Sequence, residues 1–257
     1  MQRTFNLFIA IKSAWGADVH VSTRTGMIEN GGHHLDRRNA IRKTWLAGWY
    51  GSFKFFTGRH KPMRIYGDTT CGLFGETDMV SFPVDDSFNN IGPKVQCIMQ
   101  YVLDQNYACG GLYDGILIVD DDAYIHVLRA WQFAARMFFA GVDYAGCLRD
   151  DPPGTFKGGV APQKYMHGSC YYVSMKAADA VTRHGIKEFI PDDVAVGWIL
   201  NTPEMAWYHE PAIWPGPAPV SILKSNRWLS THKCLPIPQQ GIPSMYDVHQ
   251  AWKDSNA

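Results

Sequence analysis

Residues 116–124 read ILIVDDDAY, and the fold turns on how they are read. Gly115–Val119 is an unbroken apolar run with the length of a strand buried on both faces. It stops at Asp120-Asp121-Asp122. Open α/β sheets take their ligands beyond the carboxyl ends of the strands, which is where a triplet so placed would lie. Adjacent carboxylates repel one another, so gathering them at a buried strand end is costly without a cation. In an extended chain Asp120 and Asp122 point to one side and Asp121 to the other. Oxygen ligands of this kind suit a hard divalent ion such as Mn²⁺ or Mg²⁺. A solvated acidic turn is the plain alternative, and the triplet alone is also compatible with a metal-dependent nuclease or phosphatase.

Strand and helix signals alternate on either side of this stretch. Phe5–Ile11 (FNLFIAI) is a second compact apolar run, followed by a Gly-, Ser-, Thr- and His-rich loop over 13–35. Asp36 can cap a helix through Trp45, and Ser52–Thr57 reads as a strand, with Arg64–Tyr66 beginning another. Pro93 can open a helix to about Gln105, where Val95, Ile98, Met99 and Val102 fall at helical spacing. Helices are expected over 127–139, up to about His184, and from Asp192 to Leu200, with strands at Tyr144–Leu148 and Ser169–Ser174. From Asn201 the chain is rich in Pro and aromatics, which suits a segment wrapping a surface better than a second core. The alternation predicts an α/β fold with a mostly parallel, Rossmann-like sheet flanked by helices.

Composition agrees with a globular chain: 257 residues, 46% hydrophobic and 19% charged. No apolar run approaches the ~20 residues of a membrane span. Residues 1–12 read as a first strand and not as a signal peptide, so the expected compartment is cytoplasmic, with a viral or bacterial source open. The 24 basic and 24 acidic residues cancel, which argues against a protein that coats a polyanion. They are unevenly placed: eight basic residues lie between Asp36 and Arg64, and ten acidic ones between Ile65 and Asp122. The six cysteines form no C-x-x-C pair, so free, mostly buried thiols are expected.

A second carboxylate pair opens the run FIPDDVAVGWIL, residues 189–200. Asp192 is placed to cap the helix, a structural role, which leaves Asp193 over in the first turn. A carboxylate there tends to stay ionised and serves as a base only if something partly desolvates it.

Several segments in order resemble glycosyltransferase family 31, the inverting β-1,3-galactosyl- and N-acetylglucosaminyltransferases and their Fringe-type relatives. They are the strand LFIAIKS, RRNAIRKTW at 37–45, DDSFNNIGPK at 85–94, VDDDAYI, HGSCYYVS at 167–174, PDDVAVG at 191–197, and Ser230-Thr231-His232. Together they span roughly residues 5–232. The loop at 14–35 is longer than that family's, and Gly168-Ser169-Cys170 lacks its paired glycines. The resemblance implies a GT-A fold in a single catalytic domain, with a donor half at 1–122, an acceptor half at 123–233 and a Pro-rich tail at 234–257. It implies a UDP-sugar donor and a Mn²⁺-type ion held by Asp122 and His232, with Asp120 or Asp121 assisting. Asp193 is implied as the base that deprotonates the acceptor hydroxyl. Lys12, Arg42, Thr57 and Lys94 are implied on the donor side, Arg42 close enough to hold the triplet in register; a plain surface arginine is its alternative. Asp192, His167, Gly168 and Trp198 are implied toward the acceptor.

The expected acceptor is a glycan hydroxyl. A hydroxylated nucleic-acid base is the alternative, favoured if the basic block at 37–64 surfaces beside the site. A non-catalytic sugar- or nucleotide-binding module is the competing class, which predicts loss of the D-x-D element or of the base. His33-His34 reads as a solvated loop with no nearby acidic partner, and most of the late aromatics (Trp198, Trp207, Tyr208, Trp214, Trp228) as packing.

Overall fold

The computed structural model describes residues 4–14, 19–21, 28–30, 34–59, 77–86, 91–150, 164–187, 190–217, 228–234 and 244–255. The expected strand at Arg64–Tyr66, together with His33, Asn90 and Cys71, lies outside them.

The strands are β1 (Leu7–Lys12), β2 (Val19–Val21), β3 (Ile28–Asn30), β4 (Ser52–Arg59), β5 (Met79–Asp85), β6 (Gly115–Asp120), β7 (Tyr124–Ile125), β8 (Tyr144–Asp150), β9 (Lys164–Ser174), β10 (Trp207–His209), β11 (Ile213–Trp214) and β12 (Ser230–Thr231). The helices are α1 (His34–Lys43), α2 (Ile91–Ala108), α3 (Val127–Phe139), α4 (Met175–His184), α5 (Asp192–Leu200) and α6 (Met245–Ser255), with a 3₁₀ turn at Trp45–Gly48. The main sheet runs β10-β8-β9-β6-β1-β4-β5 and is parallel except for β9, which lies antiparallel between β8 and β6. The α/β class and mostly parallel sheet are those that the strand–helix alternation predicts.

Every residue of β1 is buried, because helices cover both faces of the sheet. Leu7, Ile9 and Ile11 pack with Ala40 and Ile41 of α1, Phe133 of α3, and Met245 and Val248 of α6. Phe8 and Ala10 point the other way, onto Val95 and Ile98 of α2, Ala177 of α4 and Val196 of α5. Each fully buried Ile or Phe contributes about 1.5–3 kcal/mol, so the two-sided apolar run makes β1 and β6 the firmest part of the molecule.

Three elements differ from the sequence expectation. Strand β9 starts at Lys164, ahead of the expected Ser169, because a strand between two neighbours needs no clean alternation. Asp192 is the first residue of α5 and not its cap: Pro191 holds the cap position with no side-chain hydrogen bond. The segment after residue 234 ends in α6, whose Met245 and Val248 enter the core. Trp252 Nε1 donates to His126 Nε2 at 2.8 Å, and Tyr124 Oη lies 2.7 Å from His249 Nδ1, so α6 is fastened to the segment just after the triplet.

The five described cysteines are free. Only Cys170 and Cys234 are buried, and Cys109 is exposed, so the thiols are less buried than expected.

Candidate active site at the ends of β1 and β6

Parallel pairing of β1 with β6 sets Lys12 opposite Asp120, so an ammonium and the first carboxylate of the triplet leave the sheet side by side. Antiparallel β9 brings Cys170 against Val119, which carries Gly168 and Ser169 to the same end. The return of the late chain completes the place. Strand β12 pairs with β7, with Thr231 opposite Tyr124, and Cys234 N–H donates to Asp122 O at 2.7 Å. His232 is thereby set on the triplet, just before Lys233, which takes a left-handed φ of 64°. Such backbone costs energy for a lysine and persists where the surroundings hold it.

Asp120, Asp122 and His232 form one cluster, their ligand atoms all within 4.8 Å of one another. His232 Nε2 is 2.8 Å from Asp122 Oδ1 and 3.5 Å from Asp120 Oδ2. Burial by itself would raise the Asp122 pKa, but the adjacent His232, with Lys233 and Arg37, holds it well below the usual carboxylate range. Burial would lower that of His232, and Asp122 reverses this. Two carboxylate oxygens and an imidazole nitrogen are a donor set that fits a divalent ion, and binding one requires the histidine to give up its proton.

Asp121 faces the other way, as the alternation along an extended chain requires. Its Oδ2 accepts from Ser13 Oγ at 2.7 Å and lies 2.6 Å from His34 Nδ1; its Oδ1 accepts from Arg37 at 3.1 Å. Burial opposes its charge, and His34 and Arg37 outweigh burial, so its pKa falls. His34 therefore opens α1 against an acidic partner and is not part of a solvated loop. Arg42 does not reach the triplet. It lies on Asp78, with hydrogen bonds of 2.8 and 2.7 Å, and stacks over Phe55 at 4.7 Å. Five residues earlier, Arg37 occupies the place expected of Arg42, because α1 starts at His34 and its first turn faces the strand ends. His34, Ser13 and Arg37 were not expected as partners of the triplet. The signal for Ser13 was its place at the end of LFIAIKS, and that for His34 and Arg37 the polar run just before and inside RRNAIRKTW, which shows no helix register without the fold.

On the other side lies the second carboxylate pair. Asp193 Oδ2 accepts from Gly168 N–H at 3.0 Å and Oδ1 from Val194 N–H at 2.9 Å. A Cβ on Gly168 would stand 3.1 Å from Asp193 Oδ2, so glycine is what lets this carboxylate close on β9. Burial, then the neighbouring Asp192, push Asp193 up to about 7. That is the partial desolvation a base at a helix start requires. Asp192 is buried and turned to Lys12, 2.7 Å away, and to Tyr171 Oη at 3.3 Å.

Lys12 joins the two centres. Its Nζ lies 2.7 Å from Asp192 Oδ2, 2.9 Å from Gly168 O and 3.0 Å from Asp120 Oδ1. An ammonium has three N–H donors, and these contacts use all of them. Lys12 thus links Asp120 of the cluster to Asp192, next to Asp193, and these contacts occupy its donors, unlike the nucleotide contact expected of it. Burial disfavours its charge, and Asp120 and Asp192 more than restore it, raising its pKa.

The other residues expected on the donor side sit at the same end of the sheet. Lys94 pairs with Asp86 and donates to Ser13 O at 2.8 Å. Thr57 is fully buried, and its Oγ1 has no partner among the described residues; the same holds for His34 Nε2. Of the residues expected toward the acceptor, His167 lies with its ring 5.4 Å from that of His232 and its Nδ1 2.9 Å from Ser169 Oγ. Trp198 lies apart from these groups: it is 45% exposed on α5 and its ring meets His184. An open cleft of about 680 Å³ adjoins the cluster, lined by Arg149, His167, His209 and Trp214 among others. The aromatic there is Trp214.

The sequence matches no protein-family model and no curated protein sequence. Solved structures with a similar chain fold include a glycosyltransferase involved in the glycosylation of the major capsid of PBCV-1, at 10% identity and a TM-score of 0.44 over 97% of this chain and 99% of that one. They also include A197 from STIV, at 9% identity and a TM-score of 0.41 over 80% and 82%. A cytidylyltransferase from Leptospira borgpetersenii serovar Hardjo-bovis follows, at 12% identity and a TM-score of 0.43 over 81% and 76%. Among the described residues, no helix is long and apolar enough to cross a membrane.

Proposed function

We propose that the protein is a metal-dependent inverting glycosyltransferase of GT-A type that moves a sugar from a UDP-sugar to a hydroxyl of a glycan. The observation that carries this reading is the pairing of two unlike carboxylate centres across Lys12. One is an ionised cluster, Asp120, Asp122 and His232, suited to a cation. The other is Asp193, half-buried and poised at about 7. A binding module needs only the first; transfer to a hydroxyl needs both.

Asp120, Asp122 and His232 would hold Mn²⁺ or Mg²⁺, which supplies positive charge where a diphosphate leaves. The chain's own groups do the rest. Asp193 Oδ takes the proton of the acceptor hydroxyl as that oxygen attacks the anomeric carbon, and UDP departs from the opposite face, which inverts the centre. The backbone N–H groups of Gly168 and Val194 fix the carboxylate's direction. Lys12 bridges Asp120 and Asp192, and its charge lets the two carboxylates share one end of the sheet. Arg37, His34 and Ser13 hold Asp121 away from the cluster. In this reading residues 1–122 form the donor half, with Thr57 and Lys94 toward the nucleotide, and residues 123–233 the acceptor half. Residues 234–257 then act as a clamp on the triplet through α6.

A glycan acceptor is favoured over a nucleic-acid base because four cations of the basic block are engaged within the chain, although Lys43 is exposed. Arg37 binds Asp121, Arg38 binds Ser13 Oγ and Ala14 O, Arg42 binds Asp78, and Lys54 donates to Thr77 O. The test is UDP release from a panel of UDP-sugars with Mn²⁺, with and without glycan acceptors. Release that depends on the ion and is lost in Asp193→Asn supports the reading; release from no UDP-sugar sinks it.

A further inference from the structure

Asp120 faces two partners at once. Its Oδ1 lies 3.0 Å from Lys12 Nζ, while its Oδ2, 3.5 Å from His232 Nε2, belongs to the cation cluster. Lys12 is divided in the same way, since it also reaches Asp192 Oδ2 at 2.7 Å and Gly168 O at 2.9 Å. Gly168 in turn donates its N–H to Asp193 Oδ2 at 3.0 Å, and Asp192 precedes Asp193 at the start of α5. A continuous line of charges and hydrogen bonds therefore runs from the cluster to the base. Lys12 and Asp192 are each only 4% exposed, so water and salt screen little of what passes between them.

The groups around Asp193 fix the sense of this coupling. Tyr144 on β8 and Tyr171 on β9 act on it, but burial holds both phenols well above their ordinary value, so neither is charged near neutrality. His167, next to Gly168, is pushed down to about 4, chiefly by burial, and is neutral as well. Asp192 favours the protonated form of Asp193, and Lys12 the ionised one. An ion bound to Asp120 competes with Lys12 for that carboxylate, and the two positive charges repel. Lys12 then bears more fully on Asp192 and Gly168 O, offsetting the carboxylate that keeps the proton on Asp193.

We propose that Lys12 is a positioning residue through which the cation site readies the base: filling of Asp120, Asp122 and His232 by a divalent ion is passed through Lys12 and Asp192 to Asp193, which releases its proton to solvent and can then take that of the acceptor hydroxyl. By linkage, an ionised Asp193 strengthens binding of the ion by the same factor. The role of Asp193 as the base rests on the glycosyltransferase reading, whereas the coupling of ion to carboxylate is a property of the folded chain alone.

The test follows the side-chain carboxyl ¹³C signal of Asp193, identified by its loss in Asp193→Asn, through a pH titration of the full chain with and without Mg²⁺ and with no sugar nucleotide present. Mg²⁺ should move the midpoint down by about one pH unit. Calorimetry should show Mg²⁺ affinity rising between pH 6 and 8 about fivefold further in the unaltered protein than in Asp193→Asn, the proton lost by His232 being common to both. Lys12→Met should lose most of the midpoint shift. If that variant does not keep the native circular dichroism, Asp192→Asn, which retains the ammonium, should lose most of it instead. A midpoint that Mg²⁺ leaves in place overturns the proposal, and so does a full shift in the folded variant. Mn²⁺-dependent UDP release by the unaltered protein is measured alongside. If UDP release is absent but the shift holds, the transferase reading falls and the coupling stands; if release occurs without the shift, the reverse follows.

Discussion

The two carboxylate centres are built from the same residue in nearly the same local pattern, adjacent aspartates at the edge of an apolar element, yet their pKa values are shifted in opposite directions. Asp122 is buried beside His232, Lys233 and Arg37, and its pKa lies well below the usual range. Asp193 is half-buried, but the charge that acts on it most is another carboxylate, Asp192, and its direct partners are neutral N–H groups, so it rises to about 7. Burial pushes both in the same direction; the neighbouring charge decides the outcome. One environment keeps a carboxylate ionised for a cation. The other keeps one able to take and lose a proton near neutrality. Lys12, reaching Asp120 on one side and Asp192 on the other, lets the two stand at one end of the sheet.

The largest expected effect breaks the comparison at its ionised end. Removal of divalent ions with EDTA should abolish UDP release, and Asp122→Asn should raise the Mn²⁺ concentration for half-maximal rate by at least about tenfold. Turnover by the chelated protein at the untreated rate would show that the cluster holds no needed ion.

At the other end, Asp193→Asn should lower kcat by about 10²–10⁴-fold while UDP-sugar affinity by calorimetry changes little. The unaltered protein should gain kcat/KM as pH rises through about 7 and level off above it, since only the ionised form accepts a proton. The same shift has a stability consequence. The folded chain keeps on Asp193 a proton that the unfolded chain releases near its ordinary value of 3.8. Between about pH 4 and 7 this group therefore makes folding less favourable as pH rises. Asp193→Asn should flatten that part of the stability profile measured by urea unfolding.

Lys12→Met attacks the link itself. Removing one partner of a buried ion pair costs about 3–5 kcal/mol, which should appear as a lower urea midpoint. Because Lys12 lowers the Asp193 pKa, its loss should also move the rise of the pH profile upward. A destabilised variant with an unmoved profile would show that Lys12 only holds structure.

The smallest effect lies farthest from either centre. Trp252→Phe removes the hydrogen bond to His126 and should cost about 1 kcal/mol, or about 2–4 °C in melting temperature, with kcat nearly unchanged. A large fall in kcat would mean that α6 orders the triplet and does more than cover it.

Much of this was legible in the chain. The runs FNLFIAI and GILIV announced strands buried on both faces, and the acidic triplet at the end of the second placed a site at the sheet's carboxyl edge. Alternation along an extended backbone separated Asp121 from Asp120 and Asp122, because the pleat is a local property. Other assignments had no local cause. Whether Arg37 or Arg42 meets the triplet depends on which turn of α1 faces the strand ends. Whether Asp192 caps a helix or binds a lysine depends on Lys12, which is remote in the chain. Trp214, and not Trp198, lines the cleft because of how the late segment returns over β8 and β9.

What the sequence determined by itself was therefore the kind of element, the place of the carboxylates and their chemical type, all set by short-range periodicity and side-chain chemistry. What the tertiary structure alone decided was which charge stands next to which. Electrostatic energy inside a protein depends on distances between groups far apart in the chain, and identical aspartates become a cation site or a base only once those distances exist.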